Sequence, residues 1–168
     1  IVELGGRKWE VWHRGEDKPN AIVVIPLDTF PDVVDDVLLN QGVNLYVLHR
    51  GDGQGGLDND AELFFGRDLM AVLNDPRAPA FHHFLALSDP RFTEEVFAKA
   101  DELIRAKTPK LIDAPRSISV GSTGYDHVSV PAAAKYRFQA NFSPGLLTKP
   151  VEEHTKDLLD NGFFRLRQ

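Results

Sequence analysis

No cysteine occurs in the 168 residues, which removes disulfides, thiolate metal sites and cysteine nucleophiles from the possible chemistry. Methionine occurs once against 11 Phe, so the core is expected to be built from Phe, Leu and Val and not from a Met-rich adaptable surface. Long apolar runs are missing too. Stretches such as AIVVI at 21–25 fall far below the roughly 20 residues a spanning helix needs, so neither a membrane span nor a signal peptide is expected. Localisation stays open on these grounds, between a soluble, a cytoplasmic and a particle-associated protein. The chain begins at Ile1, as a processed or excised product would. Basic stretches are also absent. The 19 Lys and Arg are scattered among 25 Asp and Glu, for a net charge of −6, and nothing offers the dense positive stripe that neutralises a phosphate backbone. No nucleic-acid partner is expected.

What is present fits one globular domain spanning 1–168, with 42% hydrophobic and 26% charged residues, enough to bury a core without covalent staples. RKWEVWH at 7–13 alternates, placing Trp9 and Val11 on one face, and NAIVVIP at 20–26 is continuous and β-branched. Both predict strands, joined as an N-terminal hairpin by the turn-rich RGEDKPN. The period then changes. Phe30, Val33, Val34, Val37 and Leu38 form a helical stripe, with Asp28 as cap and Gly42 as stop. VNLYVLH at 43–49 follows as a strand, so 20–49 reads as a β-α-β unit. A second helix is predicted over 59–75, with Asn59 and Glu62 spaced as a capping box. AFHHFLALS at 80–88 suits either a buried strand or a short helix. A third helix is predicted from the Asp89 cap to Lys107. From Leu111 the runs SISVG, DHVSVP and KYRFQANF predict antiparallel strands, and VEEHTKDLLDNGFFRL a short terminal helix. The expected class is therefore α+β, with α/β as the alternative: a mixed sheet, three main helices and a C-terminal antiparallel region.

One stretch has the look of a ligand loop. HRGDGQGGLDND at 49–60 follows a predicted strand and precedes a predicted helix, and Gly51, Gly53 and Gly56 spell G-x-G-x-x-G. Glycines there allow close backbone approach to a pyrophosphate, and a helix N-terminus attracts anions. VLHRGDGQGGL resembles the first motif of class I S-adenosylmethionine-dependent methyltransferases, and LALSDPRF at 85–92 resembles their later D-P-P-aromatic motif, with His49 where the family carries an acid and Arg91 in place of the second proline. These matches cover under a fifth of the chain. Asp52, Asp58 and Asp60 crowd the loop with negative charge, which repels a pyrophosphate unless a metal intervenes. They do not follow the twelve-residue calcium-loop pattern. RGD at 50–52 also matches an integrin-type tripeptide.

Other motifs stop at half of what their chemistry needs. His127 in DHVSVP resembles one histidine of the two-histidine phosphoesterases, with no second copy, and reads as a structural histidine at a strand start. Arg50, Ser122 with Thr123, and Glu152 or Glu153 follow the order found in ADP-ribosyltransferase toxins, which they resemble, although the acids are adjacent and not in an E-x-E pattern. His82 and His83 are neighbours that diverge on a strand, without a third ligand, so no metal site is expected. Trp9, Trp12, Phe64 and Phe65 read as core or interface.

The leading expectation is a non-catalytic interaction or assembly module, a subunit of a larger particle or an immunity-type binding protein. Its partner would be another protein or a second copy, it would need no cofactor, and Phe163, Phe164, Arg165 and Arg167 supply residue types enriched at contact cores. The alternative is an enzyme or cofactor-binding domain, methyltransferase-like or ADP-ribosyltransferase-like, with Gly51, Gly53 and Gly56 against the ligand and Asp89 at the neighbouring strand end.

Overall fold

The computed structural model describes residues 1–24, 42–49, 69–86, 91–120 and 126–142. Within them the chain forms one mixed sheet of seven strands with three α-helices, an α+β arrangement. The strands are β1 (Val2–Leu4), β2 (Arg7–Trp12), β3 (Asn20–Val23), β4 (Asn44–Leu48), β5 (Phe81–Ala86), β6 (Arg116–Val120) and β7 (Phe138–Phe142). The helices are α1 (Leu69–Asn74), α2 (Glu94–Lys107) and α3 (Val130–Lys135). The sheet order is β1-β2-β4-β3-β5-β6-β7. β1 and β2 pair antiparallel, β2 joins β4 antiparallel, and every other pairing is parallel.

Burial explains the patterns. β3 is central, and its four residues are all buried, which is why it reads as a continuous apolar run. β6 alternates, with Arg116, Ile118 and Val120 buried and the two serines between them less so. Ile22, Leu48, Phe84, Ile118 and Phe138 share one face with apolar residues of all three described helices. The opposite face carries a smaller cluster of Ala21, Val23, Val43, Leu45 and Val47, with Trp12 and Leu85 against it. α2 presents Val96, Phe97, Ala100, Leu103 and Ile104 inward. Glu94 and Glu95 in its first turn and Arg105 and Lys107 in its last complement the helix dipole.

Several expectations change. The N-terminal hairpin is present but consists of β1 and β2, because β4 lies between β2 and β3. β1 is only three residues long, too short to show a period. β3 and β4 are parallel neighbours, as a β-α-β unit requires, while the predicted helix between them lies outside the described residues. So do the first half of the 59–75 helix and the terminal helix. Within the ambiguous 80–88 run, Phe81–Ala86 is a strand. The third helix starts at Glu94 with Thr93 as cap, later than expected. Phe92 is held extended by a parallel bridge to Val128, with Phe92 N–H on the His127 carbonyl at 2.7 Å and Ser129 N–H on the Phe92 carbonyl at 2.9 Å.

The C-terminal antiparallel strands are also corrected. β6 and β7 are parallel, since VPAAAK between them forms α3. Three consecutive alanines favour helix more strongly than the flanking valines favour strand. DHVSVP is thus a turn and a helix start, and His127 does not begin a strand.

Gly5 ties the β1–β2 turn to α1. Its φ is +60°, and a Cβ would stand 2.5 Å from the Val72 nitrogen. Its N–H donates to Asp75 Oδ2 at 3.1 Å, and Arg77, with help from that N–H, holds the Asp75 carboxyl well below the usual range. Gly6 has φ +75° but open space around it. Gly6→Ala is therefore expected to cost about 1 kcal/mol from the left-handed backbone alone. Gly5→Ala adds a backbone collision and is expected to cost more than about 3 kcal/mol. Urea unfolding of the two variants checks this, and equal costs would refute the close approach.

Candidate functional site

The five parallel strands β4-β3-β5-β6-β7 all point their carboxyl ends to one edge. The chain runs from β3 to its neighbour β4 on one side, then returns past β3 to β5 on the other, so the strand order reverses between the adjacent strands β3 and β5. Open α/β sheets bind ligands outside the carboxyl ends at such a reversal, where diverging connections leave a crevice. With strands about 4.8 Å apart, the ends of β4 and β5 flank β3 at a separation of about 10 Å. Gly51 follows three residues after Leu48, and Asp89 three after Ala86. Gly51, Gly53, Gly56, Asp89, Phe163, Phe164, Arg165 and Arg167 themselves lie outside the described residues, as do Arg50, Ser122, Thr123, Glu152 and Glu153.

Described side chains near this edge are few. His49 Nδ1 lies 2.8 Å from Glu10 Oε1, linking β4 to β2. Asp126 is exposed, and the Nε2 of His127 is buried with no partner among the described residues.

The two adjacent histidines of β5 have separate surroundings. β5 carries one residue more than β3 between the pairs Asn20–Phe81 and Ala21–His83, a β-bulge at His82. His82 is fully buried, and its Nε2 lies 3.2 Å from the Leu111 carbonyl. Donation to that carbonyl places the proton on Nε2 and leaves Nδ1 a bare acceptor, in keeping with its lack of a partner among the described residues. Burial lowers its pKa to about 4, against a smaller opposing effect of the Leu111 bond. His83 reaches the opposite face, where its Nδ1 lies 2.8 Å from Ser117 Oγ, and burial lowers its pKa as well. A pocket of about 350 Å³ opens there, with Ala21, Val23, Val43 and Leu85 as apolar wall and His83, Ser117 and Ser119 as its polar side chains. Sequence reasoning missed the two serines. Their signal is the i, i+2 spacing in RSISV, which places both on one face.

The amino ends of the strands hold the buried polar groups. Asn44, first in β4, donates to the Gly15 carbonyl at 2.8 Å and to Asn20 Oδ1 at 3.0 Å, and accepts from the Arg14 N–H at 2.6 Å. Asn20, first in β3, donates to the Ala80 carbonyl at 2.7 Å. Arg116, first in β6, donates to Asp101 Oδ1 at 2.7 Å and to the carbonyls of Tyr136 and Ile112 at 2.9 and 3.2 Å. Burial would raise the Asp101 carboxyl, but hydrogen bonds from Arg116 and Arg105 outweigh it and hold the pKa below the ordinary value. Trp9 is core, with its indole N–H on the Leu4 carbonyl at 3.2 Å. Among the described residues, no three His, Asp or Glu side chains are placed to hold a metal ion, and no helix is long and apolar enough to cross a membrane.

No protein-family model matches the chain, and no curated protein aligns with it significantly.

The buried histidines set a pH dependence. The fold keeps His82 neutral down to about pH 4, whereas the unfolded chain takes up a proton near the ordinary 6.5. Stability is thus fully present above pH 6.5 and falls as the pH drops toward 4. His83 contributes with the same sign, and Asp101 adds a loss once the pH falls below its ordinary 3.8. The urea midpoint is expected to fall between pH 7 and pH 5. In His82→Gln, which keeps a donor for Leu111 but does not titrate, much of that slope disappears, and an unchanged slope would refute the assignment.

Proposed function

We propose that the protein is an enzyme-type ligand-binding domain that takes a small molecule at the carboxyl edge of its parallel strands. The reversal of strand order at β3 carries this reading, because it is the one feature of such sheets that creates a crevice without special side chains. The Ser88–Asp89 segment follows β5 at this reversal, and the glycine-rich segment follows β4, one strand beyond β3. Glycines at 51, 53 and 56 suit close backbone approach to a polar ligand, and Asp89 supplies an acceptor for a ligand hydroxyl.

A second reading of the same edge has its own support. Ser88, Asp126 and His154 follow β5, β6 and β7, three successive parallel strands, in the chain order serine, acid, histidine used by hydrolases of the nucleophile-elbow type. In sequence Ser88 comes two residues after β5 and six before α2, a longer connection than the tight strand-to-helix turn of such nucleophiles. Ala86 and Pro90 occupy the places of the two glycines in G-x-S-x-G, and this departure makes the labelling experiment below informative.

Thermal melting with S-adenosylmethionine, NAD or ATP is expected to raise the midpoint in a concentration-dependent way, and the rise should vanish in Gly53→Val. Covalent labelling by a fluorophosphonate, lost in Ser88→Ala, would instead assign serine chemistry. Absence of both at millimolar ligand overturns the carboxyl-edge reading. The competing proposal is then the interaction module using Phe163, Phe164, Arg165 and Arg167. It predicts that truncation after Asn161 changes the oligomeric state in light scattering.

A further inference from the structure

We propose that the sheet face opposite the described helices carries a separate binding pocket for an uncharged amphipathic molecule, one with a compact apolar body and a terminal hydroxyl. The pocket is bounded by His83, Leu85, Ser117 and Ser119 with the small side chains of β3, and its volume of about 350 Å³ falls in the range of small-molecule sites. It stands independently of the carboxyl-edge reading, since none of its lining residues belongs to the loops invoked there.

The chemistry of the lining selects the ligand. No Asp, Glu, Lys or Arg is among the described residues that line it, so a charged ligand would lose its hydration without gaining a counter-charge. The apolar lining residues, Ala21, Val23, Val43, Phe84 and Leu85, favour a hydrocarbon body. The polar groups stand on neighbouring strands in fixed register. His83 is paired with Ser117 and Leu85 with Ser119 in the parallel ladder, so the positions of the polar groups are set by backbone hydrogen bonds.

The 2.8 Å contact between His83 Nδ1 and Ser117 Oγ then decides which head group fits. If the serine donates to Nδ1, Nε2 carries a proton and the serine oxygen keeps acceptor capacity. If Nδ1 donates, Nε2 is an acceptor and the serine hydroxyl is free to donate. Among the described residues, either tautomer leaves the pair one donor and one acceptor. A ligand hydroxyl, itself both donor and acceptor, satisfies both, whereas a carbonyl satisfies only one. Burial keeps His83 neutral near pH 7, so the pair does not become a cation site. Ser119 accepts a long hydrogen bond of 3.4 Å from the Asn141 side-chain amide and keeps its hydroxyl proton to donate, so it adds a donor beside the His83–Ser117 pair, which is the principal recognition element.

The test uses the full chain and three probes of one shape: 4-propylphenol, propylbenzene and 4-propylbenzoate. Calorimetric titration is expected to give saturable binding of the phenol, binding roughly tenfold weaker for propylbenzene, as loss of about one hydrogen bond implies, and none for the benzoate. Ser117→Ala should lower phenol affinity toward that of propylbenzene and leave propylbenzene unchanged. Ala21→Leu, which narrows the apolar wall, should weaken both neutral probes. In nitrogen-15 spectra the phenol should shift the His83 ring resonances and not those of His82. Absence of saturable phenol binding, equal affinity for phenol and propylbenzene, or phenol binding untouched by Ser117→Ala would each overturn the proposal. If Ser117→Ala fails to fold, the probe ranking and the His83 resonance shift in the unaltered protein decide alone.

Discussion

One extra residue in β5 governs what each face of the sheet can do. With His82 bulged out of register, Phe81 stands opposite Asn20 and His83 opposite Ala21, so Phe81 and Phe84 fall on the same face although they are three positions apart. Strand side chains alternate with period two, and a one-residue slip exchanges the faces. Without the bulge, Phe84 would leave the aromatic core and His83 would enter it. As it is, Phe84 sits at the centre of a ring cluster, 5.5 Å from Phe92, 5.9 Å from Phe138 and 6.3 Å from Phe81. Those rings lock β5 to β7 and to the start of α2. The same shift puts His83 beside Ser117.

The bulge leaves a buried imidazole with one nitrogen unpaired among the described residues, an arrangement that disfavours protonation and is tolerated because the rest of the ring is packed and bonded to Leu111. Arg116, nearby, shows the opposite solution. It keeps its charge in the interior, opposite Asp101, with two backbone carbonyls and the Phe138 ring at 5.6 Å. Removing one partner from such a pair strands a buried charge and costs about 3–5 kcal/mol, even though the intact pair adds little net stability. Its value here is positional, since one side chain contacts α2, the end of α3 and β7.

Elements with a strong local period were legible in the sequence. The continuous runs of β3 and β4 and the stripe of α2 announce themselves, because each is stabilised by burying a face that its own residues define. β1 was not legible, since its three residues gain structure only from pairing with β2. The start of α2 was set by a distant bridge to Val128, which no local cap reveals. α3 was misread because valines flank its alanine run. The site follows the same division. A glycine-rich segment after an apolar run is visible in any sequence, whereas the contact between His83 and Ser117, 34 positions apart, exists only through the ladder register and a bulge.

The buried polar residues among the described ones are Asn20, Asn44, His82 and Arg116. Each is the first or second residue of a parallel strand. The groups whose removal would leave unpaired polar atoms in the interior are thus gathered at the amino edge, where they fix the register of β3, β4 and β6 before the strands reach the other end. Such a division separates two demands that conflict in one place. Stability needs side chains whose hydrogen bonds are consumed within the fold, while ligand recognition needs polar groups left available. With the register fixed at one edge, the segments leaving the other can carry glycine, serine and aspartate with little cost to the sheet. That freedom is the physical reason to look for chemistry at the carboxyl edge.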